Sequence, residues 1–131
     1  MPTGESSMKR KLLVVIGAAT LLSVSCAAQK SATYTGEIMD SRCAQLSSHN
    51  QERESNHTKS AEECSVVCVK GGATFVLVDE ATKAVYQLDD QKKPKYFAGL
   101  KVNVTGTLDK ATATIHVKGI DKAPGSASSG W

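Results

Sequence analysis

The distinctive chemistry of this sequence lies in three cysteines: Cys43, and the pair Cys64 and Cys68, which stand four residues apart. On a helix that spacing sets both sulfurs on one face. Thiols gathered there can form a disulfide, hold a soft metal ion or act as a nucleophile. A disulfide from Cys43 to Cys64 or Cys68 would close a loop of about twenty residues and contribute about 3 kcal/mol in the chain-entropy model. A direct Cys64–Cys68 bond demands a particular sulfur geometry across one helical turn. A metal site would gather Cys43, Cys64 and Cys68 with His49 or His57 around Zn²⁺ or Cu⁺, ions suited to thiolate and imidazole, although short Cys-x-x-Cys knuckles are missing. A reactive thiol would need Cys64 activated by a helix N-terminus. The structural disulfide is the leading expectation, with no cofactor, and the Zn or Cu site is the alternative.

These residues need elements to position them. Ser60 and Glu63 have capping-box spacing, Gly71-Gly72 supplies a stop, and Val66, Val67 and Val69 cover much of the surface between, so a short helix carries Cys64 and Cys68. Before it, residues 33–40 read as a strand in which Gly36 marks a bulge or bend. Residues 41–59, with Cys43, His49 and His57, lack any sustained apolar period and read as a long polar loop with one helical turn.

After the helix, residues 73–78 and 84–88 read as strands joined by the turn 79–83. The stretch 89–95 is a charged connection broken by Pro94, and 96–99 is a hydrophobic plug. Residues 100–108 alternate cleanly, with Leu100, Val102, Val104, Gly106 and Leu108 on one side, as a strand with one buried face does. Beyond the turn 109–112, the strand 113–118 points Ile115 and Val117 inward and leaves His116 outside. The fold class is therefore mainly β: a small five-stranded OB-like barrel with one short cysteine-bearing helix between strands 1 and 2.

The ends are of a different kind. Lys9, Arg10 and Lys11 precede an apolar run over 12–24 and the small residues Ser25, Cys26, Ala27 and Ala28, which reads as an export signal over 1–28. Its apolar core is shorter than the ~20 residues of a membrane span. Cys26 is placed like the lipid-attachment cysteine of bacterial lipoproteins, against which Ser23 stands where such sites usually carry Leu. Residues 29–122 make the barrel domain, and 123–131, rich in Gly and Ser, read as a disordered tail. An exported, periplasmic or cell-envelope address, with any membrane attachment only through a lipid anchor, permits disulfides to persist. The formal charge of the chain is +3. Most of that belongs to the leader, so the domain lacks the basic footprint that nucleic-acid binding needs.

Residues 99–107 (Gly-Leu-Lys-Val-Asn-Val-Thr-Gly-Thr) and 114–120 (Thr-Ile-His-Val-Lys-Gly-Ile) resemble secreted bacterial OB-fold-like domains. The stretches 35–43 (Thr-Gly-Glu-Ile-Met-Asp-Ser-Arg-Cys), 63–72 and 75–79 are further similar to an uncharacterised exported family of that group. The resemblance covers about 33–120, implies a fold and an address, and carries no established activity, so it supplies no catalytic residues. Carboxylates such as Glu37, Asp40, Asp89 and Asp90 sit at strand ends and turns, where they have structural reasons to be. The sequence thus points to a non-enzymatic domain that binds a small ligand or an envelope protein. A thiol and histidine metal-binding module is the alternative.

Overall fold

The computed structural model of the protein describes residues 29–46 and 48–126. The expected leader, Cys26 and residues 127–131 of the expected tail lie outside these. Among the described residues no helix is long and apolar enough to cross a membrane.

Five strands form one mixed sheet that closes on itself in the order β1-β2-β3-β5-β4. They are β1 (Ala32–Asp40), β2 (Phe75–Val78), β3 (Val85–Leu88), β4 (Lys101–Asp109) and β5 (Thr114–Lys122). Pairing is antiparallel except between β3 and β5, which run parallel at Gln87↔Thr114 and Leu88↔Ile115. β4 alternates as expected, with Val102, Val104 and Gly106 buried. Ile38, Phe75, Leu77, Leu88, Val102, Val104, Ile115 and Ile120 fill the inside of the ring. Each fully buried aliphatic side chain among them contributes about 1.5–3 kcal/mol.

Between β1 and β2 lie three helices, α1 (Ser41–Leu46), α2 (Asn50–Asn56) and α3 (Ala61–Lys70). They cover the outer face of β1 and β2, where Met39, Val76 and Val78 meet Cys43, Ala44, Cys64 and Cys68 in a second core. This double burial explains the uninterrupted apolar run of β2: Phe75 and Leu77 point into the ring while Val76 and Val78 point at the helices. The α3 caps are those the sequence predicts. Ser60 Oγ accepts the Glu63 N–H at 3.1 Å, and Glu63 Oε2 accepts the Lys59 N–H at 2.9 Å, one residue ahead of the cap. At the other end Gly72 turns the chain at φ 105°, and the Ala73 N–H bonds the Cys68 carbonyl.

Several expectations change. The loop over 41–59 is instead α1 and α2, built on local caps rather than on an apolar stripe. Asp40 Oδ1 starts α1, Ser48 Oγ accepts the Asn50 N–H, and His57 ends α2 in the left-handed region. Pro94 opens a 3-10 turn, Pro94–Phe97, as a first-turn proline can. Tyr96 in the expected plug is 80% exposed, while Ala98 and Gly99 are buried and Phe97 packs against the core. The bulge lies in β5 at Lys118, opposite Thr105 and Gly106 of β4, not at Gly36. β5 runs four residues further than expected. Ala123, read as the start of a disordered tail, is buried and donates its N–H to the Lys101 carbonyl.

Gly36 has a different task. A Cβ there would stand 2.3 Å from the Val78 carbonyl oxygen, a backbone atom that has no room to move aside. Gly36→Ala should therefore cost about 2 kcal/mol or more and lower Tm by several degrees, measured by thermal unfolding. An unchanged Tm would show that β1 and β2 separate there at little cost.

Asp90 organises the connection from β3 to the 3-10 turn. Its Oδ1 accepts the N–H groups of Lys92 and Lys93 at 2.8 and 3.0 Å. These bonds, led by the Lys93 N–H, hold its carboxyl down at about 2. A folded value below the unfolded one means the contribution is complete above about pH 4 and is lost as pH falls through the folded value. Asp90→Asn keeps an oxygen acceptor but cannot titrate. Its Tm should fall less steeply than that of the wild type between pH 4 and 2, and parallel curves would contradict this assignment.

Candidate metal centre

The three cysteines come together through the second core. Asp40 closes β1, and its Oδ1 accepts the N–H groups of Arg42 and Cys43, both at 3.0 Å, as a helix N-cap does. This cap winds α1 so that Cys43 faces α3. There Cys64 and Cys68, one turn apart, present their sulfurs on the buried face. Cys43 and Cys64 Sγ are 3.7 Å apart. One carboxylate oxygen of Asp40 and the sulfurs of Cys43, Cys64 and Cys68 all lie within 4.8 Å of one another. Asp40, Cys43 and Cys64 are 0% exposed and Cys68 is 1% exposed.

Asp40 is the member that sequence reasoning missed as a ligand. Its only signal was its position three residues before Cys43, the spacing at which a cap and the residue it caps face each other. The other carboxylate oxygen, Oδ2, is buried without a hydrogen-bond partner. Leaving such an atom bare costs free energy, so its surroundings invite a cation or a proton.

Two of the thiols are held in their protonated form in this site. Burial pushes the Cys43 thiol far up, and the neighbouring Asp40 adds to the effect. Cys68 is pushed up to about 12, by burial first and then by Asp40, Cys64 and Glu52. That direction is opposite to the one an activated nucleophile needs, so neither Cys43 nor Cys68 is poised as an attacking thiol. Cys68 also meets α2: Asn56 Nδ2 lies 3.7 Å from its sulfur as a donor, and Glu52 Oε2 lies 3.8 Å away.

The expected bridge from Cys43 is not formed in this structure. All three cysteines are free thiols, and 3.7 Å is a sulfur contact, well beyond the ~2.05 Å of a disulfide. The histidines weighed as ligands stand apart from the sulfurs. His49 is buried, but its Nε2 pairs with Glu37 Oε1 at 2.8 Å, which fastens the link between α1 and α2 to β1. His57 is the exposed C-cap of α2. Neither belongs to the sulfur cluster. His116 is outside the ring as expected, and its Nδ1 meets Asp89 Oδ2 at 3.0 Å. The geometry therefore offers a buried Asp/Cys cluster able to hold a metal, in place of a Cys/His one.

The match to known families begins inside α3. Residues 62–123 match the family model described as Protein of unknown function (DUF5818). This agrees with the resemblance to an uncharacterised domain family. The matched segment carries Cys64 and Cys68, whereas Asp40, Cys43 and His49 precede it. No curated protein and no solved structure matches the chain.

His49→Ala separates the two roles a buried histidine can have. It leaves the Glu37 carboxylate, only 8% exposed, without its partner, and should cost about 3 kcal/mol. Because His49 stands outside the cluster, the same variant should bind any metal as tightly as the wild type does. Loss of metal binding in a variant that still unfolds cooperatively would return His49 to the ligand set.

Proposed function

We propose that this protein is a metal-binding module of the cell envelope, in which an OB-like barrel and its helical insertion hold Zn²⁺ between Asp40, Cys43, Cys64 and Cys68. The observation that carries the reading is the convergence of three sulfurs and one carboxylate oxygen within 4.8 Å, all buried. A tetrahedral zinc with Zn–S bonds of ~2.3 Å sets neighbouring sulfurs ~3.8 Å apart. The Cys43 and Cys64 sulfurs stand at 3.7 Å. The donor set favours Zn²⁺ over Cu⁺. A carboxylate oxygen is a hard ligand, and the monovalent ion would leave one more uncompensated negative charge in the dry interior. Four protein ligands with no open position describe a structural site, which agrees with a non-enzymatic role.

A small-ligand or envelope-protein binding role stands second, because it gives no reason for a buried carboxylate among three buried thiols. The strand order, with β1 pairing both β2 and β4 and with β3 parallel to β5, supports the OB-like assignment. The basic and apolar leader supports export, and Cys26 remains the lipid-attachment candidate.

Mass spectrometry of the protein purified from its source, native and then denatured, tests these readings together. A zinc adduct lost on denaturation is expected, on a chain whose mass reports the leader cleavage site and any acyl group. An unprocessed chain would remove the export reading, and a metal-free protein that takes up no added zinc would remove the metal reading. Binding displaces thiol protons held on by burial, so zinc affinity should fall as pH falls. Asp40→Asn keeps an oxygen to cap α1 but loses the anionic ligand. It should weaken zinc binding by about 10- to 100-fold with a smaller effect on Tm measured without metal.

A further inference from the structure

We propose that the Cys43–Cys64 edge of this cluster is a redox-modification site, at which a disulfide-bearing oxidant joins the two sulfurs and expels the metal. The inference rests on the metal reading above. Cys43 and Cys64 come from different elements and face each other at 3.7 Å. Cys68 instead turns toward α2, where Asn56 and Glu52 lie beside its sulfur. The same separation that suits an edge of a zinc tetrahedron leaves a contraction of about 1.7 Å to a disulfide.

That movement falls on α1. It is six residues long, and only Cys43 and Ala44 are buried in it. Cys64, by contrast, sits in a ten-residue helix with caps at both ends. Opening of α1 also provides the oxidant's way in, since both sulfurs are fully buried when it is closed. The rival Cys64–Cys68 bond would have to distort a turn of α3.

The exchange balances with a small disulfide R–S–S–R as oxidant. One metal-bound thiolate attacks a sulfur of the oxidant, forming a mixed disulfide and releasing RS⁻. The second thiolate then attacks the protein sulfur of that mixed disulfide, closing the Cys43–Cys64 bond and releasing a second RS⁻. Two electrons pass from the protein sulfurs to the oxidant. Asp40 and Cys68 are then the only anionic ligands left, too few to hold Zn²⁺ in a closed site, and it leaves as the free ion.

The full chain is loaded with Zn²⁺ in reductant, freed of reductant and checked by native mass spectrometry. Oxidised glutathione is then added, released zinc is read with a chromophoric chelator, and the cross-link is mapped by proteolysis. Release of the bound zinc, a mass lower by about 2 Da after denaturation and a Cys43–Cys64 bridge are expected, all reversed by reductant. Zinc retained under conditions that oxidise a control dithiol overturns the proposal, as does a bridge between Cys64 and Cys68. Uptake without release sinks this inference alone, whereas failure to take up zinc in the first step sinks the metal reading and the release together. Cys68→Ser keeps the reacting pair and, where it no longer retains zinc, should still form the Cys43–Cys64 bridge, more slowly, in prolonged oxidation at alkaline pH where the thiolate is populated. Absence of the bridge in that variant overturns the proposal independently of metal.

Discussion

Asp40 ends β1 with no exposed surface, and its carboxylate is the junction between the ring and the helices. Through Oδ1 it accepts two backbone N–H groups and so starts α1, which turns Cys43 toward α3. Its other oxygen is left in the interior without a hydrogen bond. The arrangement puts one carboxyl group and three thiols into the dry interior. Burial keeps the protons on Cys43 and Cys68, so the metal-free cluster is compact but electrostatically poor. A divalent cation would replace those protons and engage the carboxylate together.

The ring was legible in the sequence because its burial is one-sided and periodic. Val102, Val104 and Gly106 alternate with wetter residues along β4, and the Asp79 and Asp109 turns announce themselves through residues that accept their own backbone N–H groups. The α3 caps were legible for the same local reason. The closure of the ring was less so, because the parallel contact of β3 with β5 depends on residues far apart in sequence. The extension of β5 through Gly119 is likewise set by its β4 partner rather than by its own β propensity.

Residues 41–59 defeated periodicity. α2 has no buried residue at all, and α1 has two, so neither carries the apolar stripe by which a helix is recognised. Both are fixed from outside: α1 by Asp40 and by Ser41, whose N–H bonds the Thr74 carbonyl, and the link beyond it by His49 against Glu37. The cysteines were visible as a set, but their partner was not. The histidines were the natural candidates by residue type. His49 is claimed by Glu37 and His57 by the end of α2, while Asp40 reaches the sulfurs because it caps the helix that carries one of them.

The two cores do different work, and the difference bears on why such a cluster belongs here. The inner core is aliphatic and aromatic, with Val66 and Val69 of α3 packed against it. The outer core depends on Met39, Val76 and Val78 from the sheet, and three of the four residues it receives from the helices are cysteines. Burying a thiol contributes less than burying a leucine, and next to a buried carboxylate it contributes less again. Without a ligand the insertion therefore has little to offset the entropy of ordering residues 41–72. An ion bound by Asp40 and Cys43 on one side and by Cys64 and Cys68 on the other closes that stretch as a cross-link closes a loop, restricting the unfolded chain while it relieves the folded one. By this argument a metal bound there would act first on the helices, so the insertion is the part of the molecule that loading and release would order and loosen.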